Sequence, residues 1–141
     1  MLSMEINRDC IFTFFHLYNF DYFGNMLPAP NFKVRHSINT LGYFSCLIDD
    51  PYGMSATIEI SDFYDYTEYE FRNILVHEMI HYYLYYTGED TRCHHGKAFK
   101  SMAKRFNKDY GMNITPTIDI SHMKPSHHAS KISKFLFKII S

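Results

Sequence analysis

The stretch from Thr67 to Gly88 constrains this chain more than any other: it is committed to one helix, yet it carries ionisable groups where a core helix carries leucine. Thr67-Glu68-Tyr69-Glu70 has the capping-box pattern, in which the Thr67 hydroxyl and the Glu70 carboxylate each satisfy an amide that the first turn leaves unpaired. Ile74, Leu75, Met79, Ile80 and Leu84 supply the apolar side, and Gly88 predicts the stop. In the middle stands His77-Glu78-Met79-Ile80-His81. At about 100° per residue, His77 and His81 lie only about 40° apart and one turn displaced, so both imidazoles reach one metal ion. Glu78 lies beside them, too far around the helix to be a ligand but placed to hydrogen-bond a metal-bound water. Hydrolysis of an unactivated amide requires that combination: Zn²⁺ lowers the pKa of its water to about 7, and a carboxylate removes the proton as attack begins. Without partners, three polar groups buried mid-helix would cost about 1–3 kcal/mol each. A metal removes that cost; the competing reading is a pair of metal-free histidines, hydrogen-bonded or exposed.

A catalytic zinc needs a third protein ligand and an open fourth position. Glu89, Asp90, His94, His95, Asp109, Asp119 and His122 lie downstream. The spacing excludes an HExxHxxGxxH site, since Leu84 stands where glycine is needed and Thr87 where the third histidine would be. His94 and His95 precede the next helix, where the chain can fold back on the first two ligands.

Around that helix the pattern is mixed. Asn7 to Phe23 repeats apolar residues at helical spacing (Ile11, Phe14, Phe15, Tyr18, Tyr22) and ends at Gly24. Pro28 and Pro30 then forbid a regular helix and turn the chain toward a strand. Phe32 to Ile38, Gly42 to Ile48 and Met54 to Ser61 read as strands, the last two joined as a hairpin through Asp49-Asp50-Pro51-Tyr52-Gly53. A third helix starts near Gly96, carries Phe99, Met102, Ala103 and Phe106 inward, and closes at Gly111. Beyond Thr115 the chain reads as a loop, with Phe135 to Ile140 as a last strand. The expectation is one α+β domain over residues 1–141, with three main helices, a sheet of three or four strands, and residues 116–141 as a C-terminal extension.

His77-Glu78-Met79-Ile80-His81, a thirteen-residue loop, and then His95-Gly96-Lys97-Ala98-Phe99 resemble the SprT-like metalloprotease family, whose motif is HExxH followed by a short helix opening with His-Gly-x-x-Phe or Trp. Tyr22 to Pro28 resembles the family's segment after the first helix, and Leu41-Gly42-Tyr43 and Thr57 to Ser61 resemble its strands before the metal helix. The resemblance covers roughly residues 10 to 115. It implies a zincin-like fold, one zinc ion held by His77, His81 and His95 with His94 a bystander, Glu78 as general base, and hydrolysis of proteins, including DNA-associated ones. Several members continue into a zinc ribbon; no cysteine pair follows Cys93 here, and the chain has no CxxC.

Charge is unevenly placed. Residues 1–96 carry 5 basic and 13 acidic side chains, whereas residues 97–141 carry 9 and 2. The third helix presents Lys97, Lys100, Lys104, Arg105 and Lys108 opposite its apolar side, which is either a solvated face or a DNA contact. A zinc-binding docking module for DNA or protein, without proteolysis, is the alternative function on the same scaffold. His122, His127 and His128 are a candidate second metal cluster, and Tyr82, Tyr85 and Tyr86 are candidates to stabilise an oxyanion. The strand Thr57 to Ser61 is a candidate for aligning an extended substrate. With no signal-peptide or membrane-span pattern and only three scattered cysteines, the expected location is cytoplasmic, with a protein or peptide substrate and no membrane partner.

Overall fold

A computed structural model describes residues 4–47, 50, 55–129 and 131–140, with residues 132, 133 and 140 described by their backbone alone. Helix α1 (Arg8–Phe23) starts where the Asn7 side chain accepts the Cys10 amide at 2.8 Å and ends at Gly24. Three strands come next: β1 (Asn31–Arg35), β2 (Gly42–Ser45) and β3 (Thr57–Ser61). Helix α2 (Glu68–Thr87) begins with the capping box as expected. The Thr67 amide donates to Glu70 Oε1 at 2.9 Å, and the Glu70 amide donates to the Thr67 hydroxyl at 3.1 Å. At Gly88, with φ +79°, the chain leaves the helix through a left-handed residue that only glycine adopts without strain. Helix α3 (Lys97–Tyr110) and helix α4 (Lys131–Ile140) complete the chain.

The sheet order is β1-β3-β2, with β1 parallel and β2 antiparallel to β3. The expected antiparallel pairing of β2 with β3 is present. Of its turn, residues 49 and 51–53 lie outside the described residues, as do Ile48 and Met54 of the two expected strands. Strand β1 stops at Arg35 rather than reaching Ile38 because the chain turns there: the Thr40 amide bonds the Ser37 hydroxyl, and the Ser37 carbonyl accepts from the Ser61 hydroxyl. Because β3 pairs on both sides, its backbone is committed to the sheet, and the expectation that Thr57 to Ser61 aligns a substrate is wrong. The edges of the sheet are β1 and β2. The Ser61 amide donates to the Leu41 carbonyl at 2.8 Å, which sets the phase of the ladder. Tyr43 and Ser45 therefore turn their backbone groups toward β3, and Gly42 and Phe44 turn theirs outward.

A second correction concerns the C-terminus: Phe135 to Ile140 is part of α4, not a strand. Among the described residues there are thus four helices and a three-stranded sheet. No described helix is long and apolar enough to cross a membrane.

Helix α2 runs between the sheet and the other helices, in contact with β2, β3, α1 and α3. Every residue from Ile74 to Tyr82 is buried. Such a helix, covered all round, is normally apolar all round. Aromatic rings fill the space about it, with Phe15, Phe71, Phe99, Phe106 and Tyr82 among the fully buried side chains. Phe44 of β2 stacks on Tyr82 at 5.2 Å, and the Tyr82 hydroxyl donates to the Pro28 carbonyl at 2.7 Å, which ties the post-α1 loop to the same helix. The polar exceptions in this helix are His77, Glu78 and His81.

Candidate metal centre

The three exceptions meet a fourth residue. His95, at the end of the loop between α2 and α3, brings its Nε2 to 3.0 Å from His77 Nε2 and 3.2 Å from His81 Nε2. One ligand atom from each of the three lies within 4.8 Å of the others, and among the described residues no other group of His, Cys, Asp or Glu converges in this way. Phe99, one turn into α3, packs against all three imidazoles with ring centroids 4.7, 4.7 and 4.8 Å away. Its role as a floor under the cluster was not read from the sequence, although the His-Gly-x-x-Phe spacing contained it.

The loop is held by Asp90. Its carboxylate accepts the Arg92 amide at 2.9 Å and the His94 amide at 3.0 Å, and its own amide donates to the Leu84 carbonyl at 3.1 Å. Asp90 is therefore a positioning residue for His95, not a member of the cluster. His94 contributes its amide to this turn and is likewise outside the cluster. Glu89, Asp109 and Asp119 do not reach it either.

The electrostatics keep the three rings neutral. Burial, reinforced by the neighbouring imidazoles, pushes His77 down to about 3, and burial with His95 pushes His81 down to about 4. His95 is lowered by burial and by the Lys100 ammonium. The Thr115 backbone works the other way on His77, raising it, but is outweighed. His81 Nδ1 is buried without a partner. Neutral rings hold one proton each, and a proton on His95 Nε2 can bridge to only one of its two neighbours. Lone pairs then face each other across about 3 Å unless a cation lies between them. Three neutral imidazole nitrogens are a donor set that suits zinc, and the residues present fit such an ion.

Glu78 shares the site. It is 5 % exposed, and burial pushes its carboxyl up to about 8. Gly42 of β2 lies so close that a Cβ there would stand 2.8 Å from Glu78 Oε2 and 3.0 Å from Glu78 Cγ. No sequence signal pointed to that approach. All four polar residues open onto a cleft of about 400 Å³ lined by Leu41 to Phe44 from the edge strand and by Pro116, Ile118 and Ile120 from the segment after α3.

The remaining candidates lie elsewhere. His122 pairs with Glu70 at 2.7 Å, His127 and His128 face each other at 3.9 Å, and the expected second metal cluster is not assembled. The Tyr82 hydroxyl is taken by Pro28 and the Tyr85 hydroxyl by the Leu47 and Asp50 carbonyls; neither tyrosine, nor Tyr86, lines the cleft. Lys97, Lys100, Lys104 and Lys108 are exposed on α3, as their spacing predicts.

The sequence model of the SprT-like family matches residues 11–120. The chain belongs to the SprT-like family. The matched span runs from α1 through the segment that walls the cleft and stops before α4. Comparison with curated proteins gives no significant match. For a SprT-like domain the resemblance implied a third histidine at position 95, and His95 is the residue found beside His77 and His81.

Proposed function

We propose that this protein is a zinc-dependent endopeptidase in which His77, His81 and His95 hold one ion and Glu78 is the general base. The observation that carries the reading is the convergence of three neutral Nε2 atoms next to a buried carboxyl, all on a cleft bordered by a free strand edge. A bound zinc supplies Lewis acidity, polarising a carbonyl and acidifying water to a pKa of about 7. The outward backbone groups of Gly42 and Phe44 pair with an extended peptide laid along β2, which brings its carbonyl over the histidines. Glu78 takes the proton of the attacking water and passes it to the leaving amine. The Phe99 ring and the Ile118 and Ile120 side chains supply apolar surroundings.

The test is Glu78→Gln. Zinc content by elemental analysis stays at the wild-type level, while turnover of a denatured protein substrate falls by about 10²–10⁴. Undiminished turnover in that variant would remove the mechanism.

The lysines of α3 extend the proposal to DNA-associated substrates. The exposed row Lys97, Lys100, Lys104 and Lys108 begins at the cluster itself, since Lys100 is close enough to lower His95. A duplex or single strand on that face would present a bound protein to the cleft. The affinity would fall steeply with salt, and Lys100→Gln with Lys104→Gln would reduce the salt slope by about 2. A DNA affinity insensitive to salt and to this double variant would remove the DNA contact and leave the peptidase reading intact. The cytoplasm is the proposed location.

A further inference from the structure

We propose that α4 docks this protein on an anionic membrane surface, lying in the headgroup plane with Phe135, Leu136 and Ile139 inserted and its lysines on the lipid phosphates. The inference is independent of the proposed peptidase activity. Helix α4 is held to the body through Phe137, whose ring lies 5.8 Å from Phe63 and 5.7 Å from Tyr64. That contact uses one side of the helix. Phe135, Leu136 and Ile139 are 63, 47 and 65 % exposed on the rest, so two of the three bare most of their surface. At about 100° per residue, Phe135 and Ile139 lie together, flanked by Leu136 on one side and by Lys131, Lys138 and Lys134 on the other.

The charge decides between occupants. From Met123 to Ser141 the sequence contains Lys124, Lys131, Lys134 and Lys138 and no acidic residue. Among the described residues, no carboxylate lies within ion-pair distance of any of these lysines. Nucleic acid has no use for three bare apolar side chains. A basic polar face beside a Phe/Leu/Ile face fits a surface that is apolar below and negative above. The expected absence of a membrane partner rested on the lack of a spanning segment, and a ten-residue helix lying flat needs none.

The test is co-sedimentation of the whole chain with vesicles of pure phosphatidylcholine or of phosphatidylcholine with 30 % phosphatidylserine. Three lysines at the surface give a preference on the order of a hundredfold for the anionic vesicles at low salt, most of it lost at high salt. Phe135→Ser with Ile139→Ser abolishes binding, and Lys131→Gln, Lys134→Gln and Lys138→Gln together remove the preference for anionic lipid. All five positions are on the exposed or half-exposed side of α4, and an unchanged circular dichroism spectrum checks that the fold survives. Three results would overturn the proposal. One is no binding to either vesicle. Another is anionic binding retained by both α4 variants and lost with Lys100→Gln and Lys104→Gln. The third is a concentration-dependent dimer, abolished by the serine variant, which would assign the apolar strip to a second copy of the chain.

Discussion

Replacing Gly42 by alanine perturbs the proposed base without touching a histidine. The added Cβ would stand 2.8 Å from Glu78 Oε2, 3.0 Å from Glu78 Cγ and 3.1 Å from Ile74 Cγ2, whereas ordinary contact begins near 3.4 Å. Rotating the carboxylate relieves only the first of these, because Cγ and the Ile74 methyl remain too close. Either the Glu78 side chain moves by about half an ångström, or β2 shifts outward on its free edge. Overpacking of this kind costs about 1–3 kcal/mol of stability, and a base displaced on this scale costs up to about 10²-fold in turnover. The two escapes separate kinetically: a moved carboxylate lowers kcat, while a moved strand misaligns the substrate and raises KM. Zinc stoichiometry stays at the wild-type value in either case, since none of the contacts involves His77, His81 or His95. The assay is kcat and KM on one peptide substrate, with zinc content and Tm on the same preparations. Wild-type kcat/KM in Gly42→Ala would show that neither Glu78 nor β2 occupies the role assigned to it.

The cluster itself yields three further outcomes. His95→Ala removes a ligand and lowers zinc affinity by more than the 10–100-fold typical of losing an outer partner, whereas His94→Ala leaves it within a few-fold, as a competition titration with a chelator will read. Asp90→Ala frees the Arg92 and His94 amides, and zinc affinity falls about 10–100-fold; Asn at this position, which keeps one acceptor oxygen, recovers part of it. The metal-free chain has a stability maximum near pH 6.5. His77 and His81, held down at about 3 and 4, contribute stability above the ordinary histidine value of 6.5 that is lost as pH falls toward those values. Glu78, held up at about 8, contributes stability below the ordinary 4.5 that is lost as pH rises through 8. Between 4.5 and 6.5 the imidazoles outweigh the single carboxyl. Melts in chelator show the optimum, and a Tm that climbs steadily from pH 6.5 to 8.5 would contradict these shifts.

Much of the site was legible because it is local. The capping box, the 40° offset of His77 and His81 and the Gly88 stop depend on residues a few positions apart, and α2 forms as its sequence dictates. His95 was reached only through resemblance. Spacing left seven candidates open, and the choice is made by the side chain of Asp90 bending the loop and by Phe99 receiving the rings. Local pattern could not say that β3 is central. Its alternation is that of any half-buried strand, and its position comes from a parallel crossover with β1 that joins residues 26 apart in sequence. Nor could it show Gly42 against Glu78, a contact between a strand and a helix 36 residues away.

The C-terminal segment shows why a short apolar run misleads. Phe135-Leu136-Phe137-Lys138-Ile139-Ile140 is aromatic and β-branched enough to read as a strand, and its length fits one. A strand, however, needs a neighbour. Beside Phe63 and Tyr64, where this segment packs, the described residues offer no ladder, only the single bridges Tyr64 to Pro125 and Met4 to Tyr66. The ten-residue segment Lys131–Ile140 pairs part of its backbone internally as a helix, and Phe137 anchors it against Phe63 and Tyr64. Helical winding then changes what the surface presents. A strand would send Phe135, Phe137 and Ile139 to one face and bury them together, whereas the helix turns Phe137 inward and leaves Phe135 and Ile139 outside beside the lysines. Phe135, Leu136 and Ile139, which read as part of a covered strand, therefore become, once wound, the bare apolar strip on which the membrane proposal stands.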